Sequence, residues 1–264
     1  MKKVLTIAGS DCSGGAGIQA DIKTITAHKM YAMSAITALT AQNTTGVYGV
    51  QEASPDFVAQ QLDCIFTDIY PDAVKIGMVS NKDIIRVIAE KLTQYKAKNI
   101  VVDPVMVATS GGKLMKDGTV GALISKLIPL ADIITPNLPE AECLCGFPIK
   151  TEQDARKAAE KISGMLKGSV LVKGGHLAQS ADDLLFANGK AEWFRSPKIG
   201  NPNTHGTGCT LSSAIACNLA AGCDMAAAVK NAKAFITGAL KAGLDLGKGS
   251  GPLDHCFNLT LINQ

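Results

Sequence analysis

The chain has 264 residues, with 26 Lys and Arg against 23 Asp and Glu for a formal charge of +3, and it is 47% hydrophobic and 19% charged. That composition excludes an intrinsically disordered chain. The charge is spread evenly over both halves, which excludes the concentrated basic footprint of a nucleic-acid binder, and no apolar run reaches the ~18 residues of a membrane span.

The length accommodates one large α/β domain or two small ones. No linker, composition break or internal repeat interrupts it, so a single domain over residues 1–264 is the simplest expectation. The opening "MKKVLTIAGSD" superficially resembles a secretory signal, but its apolar run is too short and Asp11 follows at once. A first strand and a cytoplasmic protein are expected. Eight scattered cysteines without an export signal read as free thiols. With no CxxC pair and isolated histidines, a structural zinc site lacks support.

In chain order, "KKVLTIAG", "DAVKIG" (72–77), "NIVVDPV" (99–105), "ADIITP" (131–136) and "SVLVKGG" (169–175) are short β-branched runs that predict buried strands. Between them, helical spacing predicts helices over 18–30, 55–69, 82–95, 117–128 and 153–166. Asn188-Gly189 inside "DLLFANGKAEWF" predicts a hairpin at an antiparallel edge. Helices are expected over 206–221 and 225–244, with Gly222 at a C-terminal cap. The alternation implies right-handed βαβ units and a mostly parallel sheet between helices, with ligands at the carboxyl ends of the strands.

Neither GxxxxGK[ST] nor a helix-opening GxGxxG is present, which removes the main support for a Walker-type NTPase or a Rossmann dehydrogenase. Other strand ends carry unusual polar groups. In "GSDCSGGAGIQAD", Gly14, Gly15 and Gly17 let backbone approach a ligand, and Asp21 lies one helical turn inside; a flexible turn with a surface Asp reads equally simply. "TALTAQNTTGV" (37–47) turns from apolar to amide-rich at Gln42-Asn43. It is either a polar loop or a reader of a heteroaromatic edge, which an amide's donor and acceptor suit.

Asp103 ends the most hydrophobic strand, where a carboxylate needs solvent, a partner or a metal. Asn137 and Glu140 stand three apart at a helix start, where Glu140 either caps the helix or joins Asp103 and Asn137 as an oxygen ligand of a water-rich Mg²⁺. Lys173, beside two glycines, either snorkels to solvent or contacts a phosphate. In "NTHGTGCTLSSA" a loop enters a helix through Gly206, Thr207 and Gly208, so the backbone N–H groups of 206–209 can converge on an anion. Cys209 there is filler, a redox thiol or a catalytic group, and the helix terminus is expected to lower its pKa.

Seven ordered segments carry a resemblance: "AGSDCSGGAGIQAD" (8–21), "AQNTTGV" (41–47), "KIGM" (75–78), "VVDPVM" (101–106), "TPNLPEAE" (135–142), "VLVKGGH" (170–176) and "THGTGCT" (204–210). Nearly end to end, the chain resembles the hydroxymethylpyrimidine/phosphomethylpyrimidine kinases of thiamine synthesis, in the ribokinase superfamily. The resemblance implies a ribokinase-like three-layer α/β/α fold with a mostly parallel central sheet. It also implies transfer of the ATP γ-phosphate to 4-amino-5-hydroxymethyl-2-methylpyrimidine and then to the monophosphate.

Carried over by the resemblance, Gln42 would hold the aminopyrimidine, with Gly9, Ala16, Asp21, Met78 and Val105 around it. Asn137, Lys173 and Glu140 would serve Mg-ATP with Asp103 nearby, and Cys209 would be the base beside the 206–209 amides. A cysteine at that position is typical of the pyrimidine kinases and of some similar pyridoxal kinases, where many relatives have Asp. The loop "ATSGGKLM" (108–115) would be a mobile flap. ATP and Mg²⁺ are the implied cofactors, a monovalent cation is left open, and relatives are often homodimers. Competing readings are a pyridoxal or pyridoxine kinase of the same fold and a non-catalytic pyrimidine or nucleotide sensor.

Overall fold

In the computed structural model, which describes residues 1–106, 118–174 and 181–259, nine strands form one sheet. They are β1 (Lys3–Asp11), β2 (Tyr31–Asn43), β3 (Gly46–Glu52), β4 (Ala73–Ile76), β5 (Ile100–Val102), β6 (Ile133–Ile134), β7 (Ser169–Lys173), β8 (Asp183–Ala187) and β9 (Lys190–Phe194). Their order is β3-β2-β1-β4-β5-β6-β7-β8-β9. Strands β2, β1 and β4 to β7 run parallel, while β3 at one edge and β8 and β9 at the other are antiparallel.

Among the described residues eight α-helices accompany them: α1 (Gly17–Ala27), α2 (Pro55–Asp68), α3 (Lys82–Gln94), α4 (Thr119–Ala122), α5 (Leu138–Cys145), α6 (Glu152–Ser163), α7 (Thr207–Ala220) and α8 (Met225–Lys241). The period of two along the strands sorts them into two layers. Leu5, Ile7, Val74, Ile76, Val102, Ile134 and Val172 pack with α2, α3, α5 and α6. Their neighbours Val4, Ala73, Val101, Ile133 and Leu171 pack with α1, α7 and α8. Among the described residues no helix is long and apolar enough to cross a membrane, and all eight cysteines are free.

The five expected buried strands and the hairpin at 188–190 are present, with Asn188 and Gly189 both at positive φ. The segment 37–47 proves to be the end of β2, a tight turn and the start of β3. Neither strand was expected, because β2 mixes buried and exposed positions without clean alternation and β3 is a largely exposed edge. The helix expected over 117–128 is a four-residue α-turn that passes into a π turn at Leu123–Leu127 and a 3₁₀ turn at Ile128–Leu130. The expected flap at 108–115 lies outside the described residues, as do the last two residues of the 170–176 motif.

Candidate active site

Parallel strands deliver their carboxyl ends to one edge, and the polar groups singled out above meet there. On the β1 side two glycines leave no room for a side chain, one against a methionine and one against backbone. A Cβ on Gly9 would lie 2.4 Å from Met78 Cε, and one on Gly17, at φ +55°, would lie 2.3 Å from the Gly9 carbonyl. Gly9, Ala16 and Met78 therefore form one wall. Val105 stands at the same edge, its N–H donating to the Asp103 carbonyl at 2.8 Å.

The turn after β1 is organised by Asp11. Its Oδ2 accepts from the N–H groups of Gly15 (3.2 Å) and Ala16 (2.9 Å), and its Oδ1 from the N–H and hydroxyl of Ser13. His205 Nε2 reaches the same Oδ2 at 2.8 Å. Burial opposes ionisation of Asp11, but these donors, His205 first, outweigh it and hold its pKa at about 2. Gln42 completes the group, with its two terminal amide atoms each 3.2 Å from a neighbour, one from His205 Nε2 and one from Thr40 Oγ1. Cys12 pins the Gln42 main chain, its Sγ accepting from the N–H at 3.3 Å and donating to the carbonyl at 3.1 Å.

Against this wall packs the start of α7. Gly206, at φ +86° and without a capping side chain, begins the helix. A Cβ there would fall 1.9 Å from the Gly15 carbonyl, so the two glycine loops touch backbone to backbone. Of the amides expected to converge on an anion, that of Thr207 is withdrawn, because its N–H donates to the Thr204 carbonyl at 3.2 Å. The first-turn N–H groups of Gly208 and Cys209 have no intrahelical partner by helix geometry.

Asp103 and Lys173 lie over that turn, at 3.2 and 3.4 Å from where a Gly208 Cβ would be. Lys173 Nζ donates to Asp103 Oδ1 at 2.8 Å, and Thr135 Oγ1 donates to the same oxygen at 3.0 Å. Asn137 and Glu140 form a capping box: Asn137 Oδ1 accepts the Glu140 N–H (2.9 Å) and Glu140 Oε2 accepts the Asn137 N–H (2.8 Å). The helix-capping alternative for Glu140 is therefore realised. Its buried carboxyl is pushed up to about 7 by burial, with Asp103 adding to the rise against the lowering effect of Lys173.

Two expectations are corrected here. Asp21, expected around the substrate, is fully buried, and both its oxygens are taken. Lys75 Nζ donates to each at 2.8 Å, Thr6 Oγ1 to Oδ2 at 2.6 Å and Ser213 Oγ to Oδ1 at 2.8 Å. It is a structural anion beneath the site, with no surface for a ligand. The helix terminus was also expected to lower the Cys209 thiol. Instead burial pushes it up to about 11, with Asp21 and Asp103 adding to the rise and Lys75 and the Gly17 N–H opposing it.

Comparison with known proteins matches residues 11–254 to the model of the phosphomethylpyrimidine kinase family. The chain belongs to the phosphomethylpyrimidine kinase family. It is 46% identical over 261 residues to the hydroxymethylpyrimidine/phosphomethylpyrimidine kinase of Escherichia coli, covering 97% of this chain and 98% of that one. It is 50% identical over 253 residues to the thiamine biosynthesis bifunctional protein ThiED of Geobacter sulfurreducens, covering 96% of this chain but spanning only 52% of that longer protein. The Staphylococcus aureus pyridoxal kinase, solved with AMP-PCP and pyridoxal, superposes with a TM-score of 0.90 at 37% identity, covering 98% of this chain and 94% of that one. The fold is ribokinase-like.

For a phosphomethylpyrimidine kinase family member, the structure gathers Gly9, Ala16, Gln42 and Met78 on one wall and Asp103, Asn137, Glu140, Lys173 and Gly206 to Cys209 on the other. Three neighbours went unassigned from the sequence: Asp11, His205 and Lys75. Asp11 and His205 stand 194 residues apart, and Lys75 sits in a strand whose sequence gives no hint of the carboxylate 54 residues away.

Proposed function

We propose that this chain phosphorylates 4-amino-5-hydroxymethyl-2-methylpyrimidine with ATP and then phosphorylates the monophosphate, yielding the diphosphate for thiamine synthesis. The observation that carries this reading is the meeting of two unlike groups at one edge of the sheet: an amide-bearing glycine wall around Gln42, and a helix start overlaid by Asp103 and Lys173. The first suits a flat ring with mixed donor and acceptor edges, and the second suits a phosphoryl group in transfer. The single sheet supports one catalytic domain over residues 1–264. Cytoplasmic location and a homodimer belong to the same reading.

The residues would divide the work as follows. Gln42 orients the ring so that its hydroxymethyl arm points toward α7. Cys209, as thiolate, takes the hydroxyl proton as the oxygen bonds to the γ-phosphorus and the bond to the departing ADP oxygen breaks. Lys173 and the Gly208 and Cys209 N–H groups stabilise the charge on the transferring group. Asp103 holds Lys173 in place over the helix.

Mg²⁺ fits this donor set. Among the described residues no three His, Cys, Asp or Glu side chains gather into an all-protein metal site, yet Asp103 and Glu140 bring two carboxyls to one place, close enough for Asp103 to raise the Glu140 pKa. A cation that keeps most of its ligands as water and phosphate matches such a pair. When bound it would neutralise phosphate charge.

The test is product analysis by mass after incubation with ATP, Mg²⁺ and the hydroxymethylpyrimidine. We expect mono- and diphosphate, and Cys209→Ala should lose at least about 10²-fold in turnover, the scale of a general base, with ATP binding retained. A marked preference for pyridoxal over the pyrimidine would favour the second reading, for which the superposition on the S. aureus pyridoxal kinase speaks.

A further inference from the structure

The side-chain amide of Gln42 has two ends of nearly the same shape and opposite chemistry, so its neighbours decide which end lies where. On one side is His205 Nε2, 2.8 Å from Asp11 Oδ2. That carboxylate is an acceptor only, already serving Gly15 and Ala16, so His205 Nε2 must carry a hydrogen. A protonated Nε2 has no lone pair to offer, so Gln42 Nε2, which the structure places 3.2 Å from it, finds no acceptor there, whereas a carbonyl would share its hydrogen. On the other side is Thr40 Oγ1, whose one hydrogen goes to the Ser10 carbonyl at 2.9 Å. Gln42 Oε1, which the structure places 3.2 Å from that oxygen, is then left facing a lone pair, where an NH₂ would donate. Both ends call for the amide turned over from that placement: carbonyl toward His205, NH₂ toward Thr40.

This register has a consequence for a bound ring. The free lone pair of the Gln42 carbonyl accepts on the His205 side, and the second N–H donates on the Thr40 side. An aminopyrimidine edge therefore docks with its amine toward His205 and its ring nitrogen toward Thr40. In 4-amino-5-hydroxymethyl-2-methylpyrimidine the order of groups is ring nitrogen, amine, hydroxymethyl. The arm beyond the amine is then carried toward the 205–209 segment, where Cys209 stands. With the amide reversed, the arm would point away from α7. His205 is itself fixed: its N–H donates to the Gly251 carbonyl at 3.1 Å, and its ring fills the space a Gly15 Cβ would need, 2.4 Å from Cδ2.

We propose that Asp11 and His205 are positioning residues for substrate selection: they lock the Gln42 amide in one orientation and so impose both the amino-over-oxo preference of the site and the productive direction of the hydroxymethyl arm. The proposal rests on the reading of Gln42 given above. It predicts a change of selectivity that partial loss of folded protein cannot produce. The 4-oxo analogue, with N–H and carbonyl in place of ring nitrogen and amine, presents the reversed pattern, and only an amide free to turn accepts it.

The experiment measures kcat/KM for the amino substrate and for its 4-oxo analogue in wild type, His205→Phe, His205→Asn and Gln42→Ala. We expect the amino/oxo ratio to fall at least about tenfold in both His205 variants, the scale of one oriented hydrogen bond, with the KM for ATP nearly unchanged. In the Gln42→Ala background the His205 changes should alter the ratio no further. A ratio unchanged in the His205 variants but lowered in Gln42→Ala overturns the positioning role and leaves the Gln42 reading standing. A ratio unchanged in Gln42→Ala overturns that reading and the proposal with it. Because the ratio is internal to each variant, partial loss of folded protein does not affect it, and two His205 replacements of different size guard against one that fails to fold.

Discussion

At Cys209, the residue that would accept the hydroxyl proton, burial wins over the helix terminus and leaves a thiol near 11. A base of that strength is scarce at neutral pH, since its thiolate fraction grows tenfold per unit until the pKa is reached. We therefore expect kcat/KM for the ring substrate to climb steadily between pH 6 and 9 when chemistry limits the rate. A plateau below pH 8 would assign the proton to another group. Glu140 works in the opposite sense. Its folded pKa lies above the ordinary 4.5 at about 7, so the fold favours the neutral carboxyl, and stability present below pH 4.5 is lost as pH rises through 7. Glu140→Gln keeps the neutral form. Its thermal midpoint should match or exceed wild type at pH 8 and not at pH 5, while Mg²⁺-dependent turnover falls by about 10- to 100-fold, the cost of disturbing a metal's surroundings. Melting curves at the two pH values and a Mg²⁺ titration check both halves.

At the scale of elements, the site depends on two glycine loops meeting backbone to backbone. Gly206→Ala forces a residue to φ +86° with its Cβ on the Gly15 carbonyl, so a loss of at least about 1–3 kcal/mol in urea unfolding is expected, with loss of turnover. Gly121, in α4 with open space around it, is the control: Gly121→Ala should be neutral or stabilise by up to about 1 kcal/mol. How far such elements could be read from the sequence depended on their surroundings. The parallel core strands were legible because both their faces are buried and their β-branched runs are unbroken. The capping box was legible because Asn137 and Glu140 satisfy each other locally. The β2–β3 hairpin was not, because an exposed edge leaves no alternation to find. Lys75 was not, because a lysine inside "AVKI" reads as solvent-facing until a distant carboxylate is known to meet it.

Across the whole molecule, the Asp21–Lys75 pair joins α1 to β4, and through Thr6 and Ser213 it also holds β1 and α7. Both side chains are fully buried. Removing one partner leaves an uncompensated charge in the interior, so Lys75→Met alone should cost about 3–5 kcal/mol. Combining it with Asp21→Asn should recover a large part of that loss, read as the coupling in a double-mutant cycle by urea unfolding.

The segment around 248–252 reaches back across the chain: the Lys248 and Gly249 N–H groups donate to Thr44 Oγ1, and the Gly251 carbonyl accepts from His205. The first two of these contacts close loops of more than 200 residues. Contacts of that separation form only after the sheet has brought their partners together, since the entropy of closing so long a loop must be met first. The parallel strands, whose sheet neighbours are far closer in sequence, can thus pair while the ring-binding wall and the α7 side of the core are still unfinished. During refolding, burial of the core should precede recovery of selective ring binding, which makes recognition the last property this chain acquires.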